Sequence, residues 1–202
     1  MVTTNLTAFH PEFFGLFRHF REVYLTLSVD AFGAGNEYLR YPSQWGRTDH
    51  NLRALLRLEG DVHVHFAVVV QFHNVLNLVE LLDYFEARAD EVPGRRPQLN
   101  LSYLSGPGWL QATLLPERIR ALAVERIRGY AGRSSLYREG AEARTGLDGL
   151  LALLAADPAG DAEALRIKNR EFTRLLDESR GTRLGSAFPE LHGMLEECGF
   201  YG

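Results

Sequence analysis

Segments typical of buried β-strands alternate along this chain with segments typical of amphipathic helices, and this alternation constrains the fold more than any other feature. Residues 23–29, 62–71 and 99–104 are short and rich in β-branched and apolar side chains, which predicts three strands, and residues 2–5 are interpreted as the end of a preceding strand. Helical patterns separate them, so we expect right-handed βαβ crossovers, a parallel sheet and an α/β fold. The side chains of residues 66–70 are all apolar, and this favours a strand that is covered on both faces.

The helical segments differ in how clearly the sequence marks them. Phenylalanines recur at near-helical spacing in residues 10–21, which predicts an amphipathic helix with its aromatic side chains in the core. The pattern weakens in residues 129–146, where glycines and serines predict a loop or hinge. Further helices are predicted at residues 51–58, 76–89, 117–127, 147–156 and 163–178, with a proline-rich break at 93–97. We therefore divide the chain into residues 1–130, which carry the strands, and a helical tail of residues 131–202.

Composition limits the classes of partner. The formal net charge is −4, whereas nucleic-acid binding needs a basic face, and the arginines after residue 117 alternate with glutamates as on a solvated helix. No apolar run reaches the roughly 18–20 residues of a membrane helix. No signal peptide is visible, and a single cysteine, Cys198, excludes an intrachain disulfide framework. We therefore expect a soluble, cytoplasmic protein that binds neither nucleic acid nor a membrane.

Polar side chains lie on or near the end of each predicted strand, at the edge of a parallel sheet where α/β proteins bind their ligands. We expect neighbouring strands to bring these side chains to one rim. The groups at the four strand ends are Thr4 and Asn5; Ser28 and Asp30; Gln71, His73 and Asn74; and Asn100, Ser102 and Tyr103.

Three of the polar residues allow a structural and a functional interpretation. Ser28 and Asp30 are two apart on a strand and so face the same side, where they are either turn caps or contacts to ligand hydroxyls. Arg40 lies between aromatic residues and either binds a carboxylate or holds its loop by pairing with Glu37 or stacking on a tyrosine.

Histidines provide a third possibility, an α/β enzyme with a metal site. His63 and His65 share one face of a predicted strand, and His73 follows the strand. A tri-histidine metal site is one interpretation of this group, and histidines that are satisfied by their neighbours are the other. No phosphate-binding loop, nucleophile elbow or zinc-protease motif occurs in the sequence.

The segment from residue 23 to residue 51 resembles the fourth strand and following loop of radical SAM enzymes, which cleave S-adenosylmethionine (SAM) at an iron–sulfur cluster. In that family a strand ends in a Ser-x-Asp pair and leads to a Tyr-x-Arg-Tyr-Pro-x-x-Trp run and a helix. The matching residues here are Ser28, Asp30, Tyr38, Arg40, Tyr41, Pro42 and Trp45. Residues 172–181 and 188–191 resemble a tail of the subgroup named for its twitch domain.

This resemblance implies a partial (βα) barrel of the radical SAM type that lacks the first strands and is followed by a helical tail. It also implies a 4Fe-4S cluster that generates a 5′-deoxyadenosyl radical, which takes hydrogen from a small-molecule or peptide substrate. The residues that the resemblance and their positions make cofactor- or substrate-facing are Ser28, Asp30, Arg40, Gln71 and Asn74.

The cluster itself needs thiolates that the sequence lacks. The family holds it with three cysteines of a Cys-x-x-x-Cys-x-x-Cys loop, and this chain has only Cys198. We therefore expect the chain to be incompetent alone and to act with a missing N-terminal half or a partner subunit. The alternative is a non-catalytic binding or scaffold protein derived from such a barrel.

Overall fold

Four parallel strands form a single sheet in the computed structural model, which describes residues 1–92, 97–158 and 160–201. The strands lie side by side in chain order and are β1 (Val2–Thr4), β2 (Val23–Ser28), β3 (Val62–Val70) and β4 (Gln98–Tyr103). Every neighbouring pair is parallel. The predicted α/β class, the strands and the parallel sheet are therefore confirmed, while the break predicted at residues 93–97 falls largely outside the described residues.

The helices occupy the connections and the C-terminal third of the chain. Those that connect the strands or follow β4 directly are α1 (Pro11–Gly15), α2 (Ala34–Leu39), α3 (Trp45–Leu56), α4 (Leu78–Asp90) and α5 (Glu117–Arg133). Those of the tail are α6 (Ser135–Glu139), α7 (Ala141–Leu154), α8 (Ala162–Arg180), α9 (Leu184–Ala187) and α10 (Pro189–Glu197). Short 3-10 helices lie at Leu16–His19, Val75–Asn77, Gly108–Leu110 and Ala112–Leu114.

The aromatic segment at residues 10–21 is not one continuous helix. It consists of α1 and the 3-10 helix at Leu16–His19, and the chain becomes extended at Phe20. Phe14 and Phe17 are buried there, with their ring centroids 5.3 Å apart, whereas Phe13 is 47% exposed. The predicted core role therefore holds for only part of the aromatic series, because the short helical turns present too narrow a face to bury every ring.

In the part of the chain that the structure describes, helices cover only one face of the sheet. Along β3 the even-numbered residues are buried and the odd-numbered residues are exposed or half-buried. Phe66, on the covered face, stacks on Phe85 of α4 with ring centroids 3.8 Å apart. The prediction that β3 is covered on both faces is wrong. Ala67 and Val69 belong to the apolar run, but no described helix packs on their face of the strand.

The other face, which we call the open face, consists of side chains that are exposed or half-buried. Its residues are Thr3, Tyr24, Thr26, Ser28, His63, His65, Ala67, Val69, Gln98, Asn100 and Ser102. Most of these side chains are polar. In a sheet with strands in sequential order and right-handed crossovers, all connecting helices lie on the same side, which accounts for the asymmetry.

The helical tail packs on the rest of the chain. α5 continues past residue 130, and buried residues from both sides of that point form one core. A side-chain carbon at Gly146 of α7 would lie 3.1 Å from Cβ of Leu101 in β4. The loop predicted at residues 129–146 is not observed, because α5, α6 and α7 occupy the segment and only Ser134 and Gly140 lie between them. At Gly146 the missing side chain instead allows a close approach between helix and strand. None of the helices in the described ranges is long and apolar enough to cross a membrane.

Candidate functional site

Asp30 is the centre of a polar network at the C-terminal ends of β2 and β3. Its side chain is largely buried, and its Oδ2 lies 2.8 Å from Nε of Arg40. Its Oδ1 accepts a hydrogen bond from the backbone nitrogen of Val69, 2.9 Å away. The carboxylate thus neutralises a cation and also ties the end of β2 to β3.

Arg40 directly follows the last residue of α2, and its side chain reaches the Asp30 carboxylate from there. Among the described residues, Arg40 neither pairs with Glu37 nor stacks on a tyrosine, the two local contacts predicted from the sequence. Glu37 instead accepts a hydrogen bond from the backbone nitrogen of Trp45 at the start of α3, with the two atoms 2.6 Å apart. The Arg40 guanidinium is therefore a positioning group for Asp30, and its partly exposed side chain also borders the end of the sheet.

Asn36 belongs to the same network, although sequence reasoning did not single it out. Its side chain is fully buried, and its Oδ1 accepts a hydrogen bond from the backbone nitrogen of Asp30 at 3.2 Å. Its Nδ2 approaches Oγ of Ser43 at 3.5 Å. An asparagine in a short helix carries no sequence signal of burial, so only the three-dimensional contacts identify it.

Asn74 uses its side-chain amide to hold the two strand ends. Nδ2 donates to the backbone oxygens of Asp30 and Val69, at 2.7 Å and 2.8 Å. Oδ1 accepts from the backbone nitrogen of Gln71 at 2.8 Å. Asn74 is fully buried and both of its amide hydrogens are engaged, so its role is to hold the two strand ends together. Gln71 is half-buried and is accessible from solvent.

Ser28 and Asn100 lie on the open face with the small side chain of Ala67 between them. Ala67 is the register partner of both residues, which places them two strand spacings apart, about 10 Å. Neither side chain makes a hydrogen bond within the described part of the chain. This arrangement offers hydrogen-bonding groups on either side of a shallow gap, and a flat or extended ligand could span them.

The remaining predicted rim residues do not join this gap as a group. Thr4 and Asn5 accept hydrogen bonds from the backbone nitrogens of Leu6 and Thr7, so they form a local turn. Ser102 is exposed on the open face, whereas Tyr103 donates from its hydroxyl to the backbone oxygen of Gly146.

The structure separates the three histidines of the metal hypothesis. His63 is exposed and lies near Glu22 and Asp61, with Nε2 at 3.2 Å and 3.3 Å from their carboxylate oxygens. His73 is buried beneath the tail, with Nε2 3.3 Å from Oγ1 of Thr173, and burial lowers its pKa to about 4.

A tri-histidine site is therefore not formed, because His73 lies beyond the strand and turns toward the helices. Among the described residues, the group with metal-ligand spacing is Glu22, Asp61 and His63, whose ligand atoms lie within 4.8 Å of one another. These residues lie at the N-terminal ends of β2 and β3, opposite the Asp30 network.

The residues present do not fit an iron–sulfur cluster. Cys198 is exposed at the end of α10 and is the single cysteine of the sequence. A 4Fe-4S cluster requires several thiolates, so this chain does not supply the ligand set. Comparison with known proteins adds no family assignment: no family model, no curated protein and no solved structure matches the chain.

Proposed function

We propose that this chain forms the C-terminal half of a radical SAM barrel and acts only together with a second half. The observation that carries the proposal is the open face, a polar sheet surface bordered by the Asp30 network at its C-terminal end. In a (βα) barrel the helices surround the sheet and the opposite face lines the interior, with the reactive site at the C-terminal ends of the strands. A half-barrel has this asymmetry.

The side chains present suggest which residues bind the ligand and which maintain the shape of the site. Ser28 and Asn100 would bind polar groups of the cofactor or substrate, with Gln71 beside them. Asp30, Arg40 and Asn74 would hold the rim in shape. The second half would have to bring the thiolates for the cluster, because this chain lacks them.

The first experiment is to read the coding DNA upstream of Met1, over about 150 codons, somewhat more than half of a typical barrel. A Cys-x-x-x-Cys-x-x-Cys motif in the same frame or in an adjacent gene is the expected result. Absence of the motif from both places would overturn the proposal and leave the non-catalytic binding or scaffold protein as the better interpretation.

A second experiment tests the site itself in the protein that contains both halves. Replacing Ser28 by alanine should weaken SAM binding by about tenfold, the effect of losing one hydrogen bond to a polar ligand. The matched control is Ser179→Ala on α8, where the hydroxyl bonds only to the backbone of its own helix. Equal binding by Ser28→Ala and the wild type would remove Ser28 from the site.

A further inference from the structure

Glu22, Asp61 and His63 converge at the N-terminal ends of β2 and β3 and form a second polar group, at the end of the sheet opposite the site described above. The sheet register pairs Tyr24 with His63, and each carboxylate lies two positions before one of these residues. The backbone nitrogen of Val23 donates to the backbone oxygen of Asp61 at 2.9 Å, so the pairing of the two segments continues beyond the strands. The backbone thus brings the three side chains together.

The spacing within this group is that of ligands around one metal ion. Nε2 of His63 lies 3.2 Å from Oε1 of Glu22 and 3.3 Å from Oδ1 of Asp61. Zinc bonds of about 2.0–2.2 Å to nitrogen and oxygen place neighbouring ligands roughly 3.0 Å apart in octahedral geometry and roughly 3.3–3.6 Å apart in tetrahedral geometry. A charge-assisted hydrogen bond between such groups is shorter, about 2.7–2.9 Å. The ligand atoms all lie within 4.8 Å of one another, so a small rotation of one carboxylate completes the set.

Tyr24 orients two of the three ligands. Its hydroxyl donates to Oε1 of Glu22 at 2.9 Å, and its ring stacks on the imidazole of His63 with the ring centroids 4.9 Å apart. Histidines and carboxylates that bind metals are typically held in place by neighbouring groups of this kind, which contact the ligand and not the ion. Tyr24 is therefore a positioning residue, and it gives the group a fixed geometry that unsupported surface charges do not have.

An ion can reach all three side chains directly from solvent. The exposed fraction of the side chain ranges from 44% at His63 to 66% at Asp61. With the imidazole neutral, the two carboxylates carry two negative charges, which balance the charge of a divalent cation.

The donor atoms favour a transition metal over a hard cation. One imidazole nitrogen and two carboxylate oxygens form a mixed set that suits Zn²⁺ and its neighbours in the first transition row. Ca²⁺ takes six or more oxygen ligands, and Mg²⁺ demands octahedral oxygen coordination, so a set with a nitrogen ligand suits neither ion. Three protein ligands also leave a position for water, as in zinc sites that stay open to solvent.

We propose that Glu22, Asp61 and His63 bind one divalent transition-metal ion of the Zn²⁺ class, with water in the remaining position. The bound ion ties together the segments that lead into β2 and β3, because its ligands come from both. The site does not rest on the function proposed above, since it uses no residue of the Asp30 network and needs no thiolate.

The test is calorimetric titration of the whole chain with ZnCl₂, after metal has been removed by dialysis against a chelator. We expect saturable binding of one Zn²⁺ per chain and, because the ion binds the folded state, a higher midpoint of thermal unfolding in its presence. MgCl₂ is the control on the wild-type protein and should bind at least about tenfold more weakly. These measurements need no variant that might fail to fold.

Variants then assign the ligands. His63→Gln should reduce the affinity for Zn²⁺ by about 100-fold or more, because it removes the nitrogen ligand, and Tyr24→Phe should reduce it by about tenfold, because it keeps the stacked ring but loses the hydrogen bond to Glu22. His50→Gln is the matched control, an exposed histidine of α3 outside the group, and should bind like the wild type.

Three results would each overturn the proposal. The first is a lack of saturable Zn²⁺ binding by the wild type, which would make the group an ion pair of a protonated His63 with two carboxylates. The second is equal affinity of the wild type for Zn²⁺ and Mg²⁺. The third is an equal effect of His63→Gln and His50→Gln, which would place the bound zinc elsewhere on the surface.

Discussion

Asn74 donates a hydrogen bond from its side-chain amide to the backbone oxygen of Asp30, and the two atoms lie 2.7 Å apart. The residues are 44 positions apart in the sequence and follow two different strands. The same amide also bonds to Val69 and Gln71, so one side chain satisfies three backbone groups. Backbone groups at the ends of parallel strands would otherwise lack partners.

Replacing Asn74 by alanine should lower the free energy of unfolding by about 2–3 kcal/mol, because several buried backbone groups lose their partners together. In a chain of this size that corresponds to a fall of roughly 4–12 °C in the midpoint of thermal unfolding. Asn100→Ala is the control, since that exposed amide makes no hydrogen bond within the described residues. Equal effects of the two substitutions on unfolding would contradict a structural role for Asn74.

Asp30→Asn should destabilise the chain by about 1–3 kcal/mol, because a buried carboxylate that serves both a guanidinium and a backbone nitrogen is replaced by a neutral amide. Urea denaturation followed by circular dichroism measures the change. The control is Asp90→Asn at the exposed end of α4, expected within about 0.5 kcal/mol of the wild type. If the free energy of unfolding of Asp30→Asn is as high as that of the control variant, the ion pair between Asp30 and Arg40 is not important for folding.

His73 predicts a pH dependence of stability. Burial lowers the pKa of the folded state to about 4, below the value of about 6.5 in an unfolded chain. The unfolded state therefore binds more protons between these values, and stability is fully present above pH of about 6.5 and falls as the pH drops toward 4.

The free energy of unfolding should therefore be roughly 3 kcal/mol lower at a pH of about 4 than above a pH of about 6.5. His73→Gln should flatten this part of the profile in urea denaturation measured from pH 4 to pH 7.5. The control is His65→Gln on the half-exposed strand face, which should keep the slope. An unchanged slope in His73→Gln would assign the pH dependence to other groups.

The contact between α2 and the tail can be tested with a single methyl group. A side-chain carbon at Gly35 would lie 2.7 Å from the Phe188 ring, whereas one at Gly193 of α10 would meet nothing within 4 Å. Gly35→Ala should destabilise the protein by about 1–3 kcal/mol, because the buried ring must move. Gly193→Ala should instead stabilise it by about 0.4–1 kcal/mol through the lower entropy of the unfolded chain. A neutral Gly35→Ala would contradict the packing of the tail on α2.

Local sequence patterns were sufficient to predict the strands and the parallel sheet. The strand predicted at residues 62–71 is observed as Val62–Val70, and the helix predicted at residues 163–178 is observed as Ala162–Arg180. Periodicity of apolar side chains is a property of neighbouring residues, so it can be recognised without knowing what the element packs against. For the same reason the polar residues at the strand ends could be identified as a group.

What covers each element was decided by the tertiary structure. The apolar run at residues 66–70 indicated two covered faces, yet the helices lie on one side only, because crossover handedness and strand order determine their positions. Likewise, the glycines at residues 129–146 indicated a loop, and Gly146 instead lets α7 approach Leu101. The partners of Arg40 and Asn74 depend on residues brought together by folding, which no local pattern of side chains encodes.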